Sequence, residues 1–317
     1  MKRILSIIAL FLMCFLSLQA QKQEKVKPLV FMPQFTAQAQ FAGYYVAQEK
    51  GFYADEGLHV HIVHPNATQE TVERIRSNPN YITTIQLSEA LQIIDGGIPL
   101  VNLLQTSMNN ALVIISRRGK DPLKQQGAKV AVWRSGFTQL AECVSKESRL
   151  DYEWVPAASG VNLFIAGAVD ATLAMSYNEY YRILQAGFDI GEDCVYRFSE
   201  NGYNIQEDGL YMTRAYYEQH PEQAEKFARA SRRGWDYVAA HPEEALDIVM
   251  SYVDRNNIAT NRILQRFMLE EILRLQEDPD SGEREFRIRP DMLKQANEIM
   301  LRAGLLSKPV TLEEIVR

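Results

Sequence analysis

The sequence predicts an α/β protein built as two lobes and finished by a helical tail. Three observations lead there. Short apolar runs alternate with helix-period stretches from Pro28 onward. The alternation restarts after a turn-rich stretch, Arg117 to Gly127, and nearly everything beyond Tyr216 has helical period. Two α/β blocks in succession also suit a single dinucleotide-binding domain, so motifs have to decide between the two arrangements.

Taken in order, the chain opens with a targeting signature. Lys2 and Arg3 precede an apolar run from Ile4 to Leu18, and Ala20 closes it, which reads as a signal peptide over residues 1–20. The run is short for a membrane span. Lipoprotein processing at Cys14 is disfavoured, because Met13 stands where a small residue is wanted and Phe15-Leu16 continue the apolar run. An exported, periplasmic product is therefore expected. Gln21 to Lys27 is a short polar leader.

The stretch Pro28 to Met32 reads as a strand that breaks at Pro33 into a loop with Gln34, Gln38 and Gln40. A helix follows through Phe41, Tyr44 and Tyr45 and stops at Lys50-Gly51. His59 to Val63 is the next strand, His64 to Thr68 its loop, and Gln69 to Arg76 a helix that Thr68 is placed to cap. Tyr81 to Ile85 is a third strand, Gln86-Leu87-Ser88 a loop, and Glu89 to Ile94 a helix ended by Gly96-Gly97. Pro99 to Leu104 is a fourth strand running into Gln105-Thr106-Ser107, and Leu112 to Ser116 is another apolar run.

The second block repeats the pattern. Its strands are Lys129 to Trp133, Tyr152 to Val155 and Ala171 to Met175, and its helices are Phe137 to Ser148, Val161 to Ile165 and Tyr180 to Ala186. Val195 to Phe198 is extended, and Glu207 to Met212 reads as a strand crossing back. The tail has helical spacing over Ala224 to Ala240, Pro242 to Tyr252 and Ile263 to Leu275, with Pro221, Pro242 and Pro290 near helix starts.

Composition narrows the function. There are 34 Lys+Arg against 40 Asp+Glu, a net charge of −6, and removing Lys2 and Arg3 makes it −8. With no basic cluster, nucleic acid is not an expected partner. Cys143 and Cys194 remain after cleavage; they could pair in an oxidising compartment or stay as buried thiols. No CxxC or spaced His/Cys set indicates a metal, and no GxGxxG, GxxxxGK[ST] or GxSxG follows a strand. His59 and His61 share a strand face without a third ligand, and His220 and His241 precede prolines at helix starts, so all four read as structural or surface residues. Met108 and Met175 read as core. No catalytic residue, metal or cofactor is assigned.

In open α/β sheets ligands sit beyond the carboxyl ends of the strands. Those loops carry Gln34, Gln38, Gln40, His64, Asn66, Gln86, Ser88, Thr106, Trp133, Ser135, Ser159, Tyr177, Asn178 and Glu179. Amides and hydroxyls read donor and acceptor edges, and aromatic faces clasp flat rings. The set suits a planar, polar, largely uncharged heterocycle better than a phosphate or a bare sulfonate.

Particular motifs carry a resemblance. Gln38-Ala-Gln-Phe41-Ala-Gly-Tyr-Tyr45, Glu49-Lys-Gly-Phe-Tyr53 and Glu56-Gly-Leu58 look like the start of the NMT1/THI5-like family of periplasmic binding proteins. Gly167 to Ala171, Ser176-Tyr-Asn-Glu179, Glu207-Asp208-Gly-Leu210 and Arg233-Gly-Trp235 add to the likeness, which spans about Val30 to Tyr252. The resemblance implies a type II two-lobe fold with a hinge of two crossings near Leu112 and Tyr211. Residues 27–112 plus 213–317 would form lobe 1 and residues 113–212 lobe 2. It also implies a monomeric binding protein, an ABC permease as partner, and a ligand such as a thiamine pyrimidine precursor, with Phe41 and Asp208 joining the site. Riboflavin, a sulfonate or nitrate-like solute, or a sensory input role are the alternatives. The family's pyrimidine synthase branch carries a cysteine run and a consumed histidine. Here the matching stretch Arg197 to Gln206 has no cysteine and Glu89 stands at the histidine's place, so an enzyme is not expected. The family's glycine-rich loop is replaced by His64-Pro-Asn66-Ala, which would not welcome an anion.

Overall fold

The computed structural model describes residues 28–65, 70–134, 137–157, 161–278 and 281–317. In the first block β1 (Leu29–Met32) leads through a loop and a single 3-10 turn into α1 (Ala42–Glu49). Gly51, at φ 76°, ends that helix in a left-handed turn that a side chain would resist, and α2 (Phe52–Asp55) follows. Then come β2 (Val60–Ile62), α3 (Thr71–Ser77), β3 (Ile82–Gln86), α4 (Leu87–Asp95) and β4 (Leu100–Gln105). The second block contains β5 (Leu112–Ser116), β6 (Lys129–Trp133), α5 (Gln139–Glu147), β7 (Glu153–Ala157), α6 (Asn162–Ile165), β8 (Ala171–Met175), α7 (Glu179–Gln185) and β9 (Val195–Arg197). The chain returns through β10 (Asp208–Thr213) to the tail helices. These are α8 (Arg214–Gln219), α9 (Pro221–Ala240), α10 (Pro242–Arg255), α11 (Arg262–Leu275), α12 (Pro290–Arg302) and α13 (Leu312–Ile315).

The strands form two five-stranded sheets, β2-β1-β3-β10-β4 and β7-β6-β8-β5-β9. In the first, β1 runs parallel to β2 and β3, and β10 is inserted antiparallel between β3 and β4. In the second, β6 runs parallel to β7 and β8, and β5 is inserted antiparallel between β8 and β9. The inserted strand is in each case the first one after a crossing, which reverses direction because the chain enters from the opposite lobe. Strands β3, β4, β5 and β8 are buried along their whole length. Burial on both faces is why none of them shows the in–out alternation of a half-exposed strand: β4, β5 and β8 are mostly apolar, and β3 buries Thr83, Thr84 and Gln86 as well.

Several expectations shift. The strand Asp208–Thr213 belongs to the first sheet, so the return crossing lies before Asp208 and not near Tyr211. Gln86 ends β3 and Leu87 already starts α4, so the expected loop between them does not exist. Helix α3 starts at Thr71 with Glu70 at its cap position; Thr68 lies outside the described residues. The signal segment 1–20 lies outside them as well. Both Cys143 and Cys194 are buried free thiols. Among the described residues no helix is long and apolar enough to cross a membrane, and no cluster of His, Cys, Asp or Glu is arranged to hold a metal ion.

The tail packs mainly on the first lobe, where α1 and α9 cross at their backbones. A Cβ on Gly234 would sit 2.0 Å from the Gly43 carbonyl oxygen, and one on Gly43 would sit 2.3 Å from the Trp235 ring. Helix α12 touches both lobes: Arg302 bonds Glu147 of α5 at 2.6 Å, and the Ser307 N–H after it bonds Asp95 of α4 at 2.9 Å.

Candidate functional site

A narrow cleft between the lobes gathers most of the expected residues. The β1–α1 loop supplies Gln34, Phe35, Gln38 and Gln40, and the end of β3 supplies Gln86. Opposite them stand Trp133, Phe137, Met175, Tyr177, Asn178 and Glu179 from the ends of β6 and β8. About 20 Å³ of free space remains between these walls, room for about one water. A ring can enter only if the lobes separate.

The floor is organised by Asp208, whose two carboxylate oxygens accept from Gln34 Nε2 at 2.9 Å and Gln40 Nε2 at 2.5 Å. Gln38 Nε2 donates in turn to Gln40 Oε1 at 2.6 Å. The backbone of Gln34 is pinned by its N–H to Thr84 Oγ1 and by Arg74, which donates to its carbonyl. The Asp208 carbonyl accepts from Thr106 Oγ1 at 3.0 Å and Gln105 Nε2 at 2.9 Å. Gly209 makes this approach possible, since a Cβ there would lie 2.6 Å from Gln105 Oε1. What the cleft leaves free on this side is Gln34 Oε1, a buried acceptor without a partner.

The opposite wall is built on Glu179. Its carboxylate accepts from the Met175 N–H at 3.0 Å, from Trp133 Nε1 at 3.2 Å and from Asn178 Nδ2 at 3.3 Å. Those bonds fix the indole plane of Trp133 against the cleft. Phe137 holds a left-handed backbone at φ 69°, unusual for a bulky residue, and its ring meets Phe35 of the other lobe at 5.7 Å. Strain of this kind persists where surrounding structure fixes it, commonly at ligand clamps.

Burial pushes the Asp208, Glu179 and Glu207 carboxyls above their ordinary range, with donated hydrogen bonds opposing it at each. At Glu207 the neighbouring Asp208 charge pushes further in the same direction. The Tyr177 phenol is raised well above its usual value by burial and by the three acids around it. A second, smaller space adjoins the cleft and shares Gln40 and Tyr177 with it; Thr106, Glu207, Asp208, Trp235 and Gln276 are among its other walls. Among the described residues no lysine or arginine lines either space.

Not every expected residue is here. Asn66, Ser135 and Ser159 lie outside the described residues. Phe41 is a core residue with its ring against His64, and Ser88 is buried on α4; neither lines the cleft. Thr106 and Asp208 line the smaller space. His64 is an anchor: its Nδ1 meets the Phe35 carbonyl at 2.7 Å, so that nitrogen carries the proton and Nε2 accepts from the Tyr45 hydroxyl at 2.9 Å. Met175 is buried in the core as expected and also lines the cleft. Phe35, Phe137, Trp235 and Gln276 were not expected at all.

A family model described as "NMT1/THI5 like" matches residues 38–245. The formylaminopyrimidine-binding protein of Halalkalibacterium halodurans is 24% identical over 74% of this chain and 74% of its own length. The riboflavin-binding protein RibY of Chloroflexus aurantiacus is 23% identical over 87% and 80%. A 4-amino-5-hydroxymethyl-2-methylpyrimidine phosphate synthase of Aspergillus parasiticus is 24% identical over 73% and 71%. Among solved structures, the ligand-binding component of an ABC-type import system from Staphylococcus aureus, with zinc bound, aligns at a TM-score of 0.67 and 10% identity, covering 92% of this chain and 97% of that one. The periplasmic aliphatic sulphonate binding protein SsuA of Escherichia coli aligns at 0.61 and 12%, covering 92% and 91%. The shared fold is the two-lobed periplasmic-binding-protein fold.

Proposed function

The chain belongs to the NMT1/THI5-like family, and from that premise we propose that it is an exported solute-binding protein that holds a planar, nitrogen-rich heterocycle of the aminopyrimidine type between its lobes and delivers it to an ABC permease. One observation carries the reading: the cleft and the space adjoining it are walled by amides, three buried acids and two indoles, with no lysine or arginine among the described lining residues. A sulfonate or nitrate brought there would lose its water against carboxyl groups with nothing to balance its charge. An aminopyrimidine brings N–H donors for Glu179 and for the free Gln34 Oε1, and a flat face for Trp133.

Delivery rather than chemistry is supported by the residues at the positions the synthase branch uses. Arg197 to Gln206 contains no cysteine, and Glu89 is buried on α4 beside Arg74 instead of facing the cleft. A thermal-shift screen with aminopyrimidines, thiamine, riboflavin, taurine and nitrate tests the assignment, because a ligand that binds only the folded state raises its melting temperature. An aminopyrimidine should give the largest rise and be recovered unchanged by mass analysis after long incubation. Stabilisation by taurine or nitrate alone, or turnover of the pyrimidine, would contradict it.

A further inference from the structure

Helix α11 is tied at once to the first wall of the cleft, to the hinge and to the second lobe. Gln265 Oε1 accepts from the Ala39 N–H at 2.7 Å, in the 3-10 turn that carries Gln40. At the end of the helix the Leu275 carbonyl accepts from the N–H groups of Met108 and Asn109, at 2.8 Å and 3.1 Å, where the chain passes from β4 to β5. Between these anchors Phe267 stacks on Tyr181, with ring centroids 4.1 Å apart and planes 14° from parallel. Tyr181 stands in the first turn of α7, which opens with the cleft acid Glu179. Each ring therefore sits on a helix that positions one wall of the cleft. Farther along α11 a groove of about 420 Å³ lies between Arg274 and Leu275 on one side and Ser176 and Arg197 of the second lobe on the other. The helix thus meets that lobe at the stack and not along a packed face.

We propose that the Tyr181–Phe267 stack is a latch across the cleft, a pair that holds the lobes together without touching the solute and parts whenever a solute enters or leaves. It goes beyond the identity of the ligand and holds for whichever solute the cleft takes. The walls leave about 20 Å³ between them, so exchange requires the lobes to separate, and separation draws α7 away from α11. Polar contacts between the lobes find water when they break: Gln139 Nε2 to Gln92 Oε1 at 2.9 Å, and the exposed Arg302–Glu147 pair. Stacked rings find no such substitute, because parting returns both apolar faces to water. Phe35 and Phe137 also meet across the cleft, but those rings line the ligand site itself. The Tyr181–Phe267 pair lies outside it and acts on closure alone.

The test needs no ligand. Met175→Cys places a thiol on the cleft wall, where iodoacetamide arrives only when the lobes part, so the alkylation rate follows the fraction of time they are apart. Cys143 and Cys194, both buried free thiols, report general unfolding in the same sample. In the Met175→Cys background, Tyr181→Ala and Phe267→Ala should each speed alkylation of the introduced thiol about two- to tenfold, the range of one aromatic pair. The double variant should be no faster than either alone, because the same contact is lost in all three. Tyr181→Phe keeps the stack and should leave the rate where it was, and the two native thiols should react no faster in any variant. Unchanged rates in the alanine variants, effects that multiply in the double variant, or native thiols that speed up in step with the introduced one would overturn the latch. Either alanine variant carries the test if the other fails to fold. Failure here leaves the aminopyrimidine reading standing, and failure of that reading in the thermal-shift screen leaves the latch untouched.

Discussion

Glu89 carries a carboxyl into a buried position, only 5% exposed. Burial raises it to about 8 against an ordinary 4.5, although the Arg74 charge pulls the other way. Arg74 is itself lowered to about 10 by burial, so desolvation outweighs the attraction at both partners. The folded state thus holds this proton more tightly than the unfolded chain does. Its contribution is complete below about pH 4.5 and is lost as pH rises through about 8. Across that window wild type should lose up to about 1.4 kcal/mol per pH unit relative to Glu89→Gln, which has no proton to lose. Urea unfolding of both proteins at about pH 5 and about pH 8.5 measures this, and parallel pH profiles would remove Glu89 as the source. In the cleft, Trp133→Ala should weaken ligand binding by on the order of 1–3 kcal/mol, the scale of an anchoring aromatic contact. Unchanged affinity in calorimetry would remove Trp133 as a wall.

At the scale of elements, the crossing of α1 and α9 governs where the cleft's first wall stands. Gly43 and Gly234 let the two helices meet backbone to backbone, and that contact fixes Trp235 beneath Gln40. Gly234→Ala should cost about 1–3 kcal/mol by overpacking, although alanine favours a helix elsewhere. Thermal unfolding checks it; a neutral or stabilising outcome would mean that α9 can slide without loss. The sequence made these elements legible because each signal was local. Apolar runs marked the buried strands, Gly51 marked the end of α1, and Pro221, Pro242 and Pro290 marked three helix starts. The amide-rich loop after β1 was legible for the same reason. The direction of β10 was not, because membership of the first sheet depends on a partner more than a hundred positions away. Gln276 and Trp235 carry no local mark either: a glutamine past a helix end and a tryptophan in an amphipathic helix read as ordinary until packing turns them inward. Phe137 was hidden differently, since a left-handed backbone at a phenylalanine runs against its own preference.

At the scale of the molecule, the two sheets are the same motif built twice, each completed by a strand that has just crossed from the other lobe. The crossings tie the lobes together at one side of the cleft and α12 spans them at another, through the exposed Arg302–Glu147 pair and the Ser307–Asp95 contact. An exposed ion pair contributes little, so it resists opening only weakly. With room for about one water between the walls, binding has to be coupled to lobe separation and reclosure. A crystal structure of the protein with an aminopyrimidine shows directly where the ring then lies. The ring should lie between Trp133 and the glutamines of the β1–α1 loop, with an N–H within hydrogen-bond distance of Glu179. A pyrimidine found instead in the groove lined by Thr71, Glu89, Arg134 and Gln139, or in the one beside Asn110, Arg197 and Arg274, would contradict it.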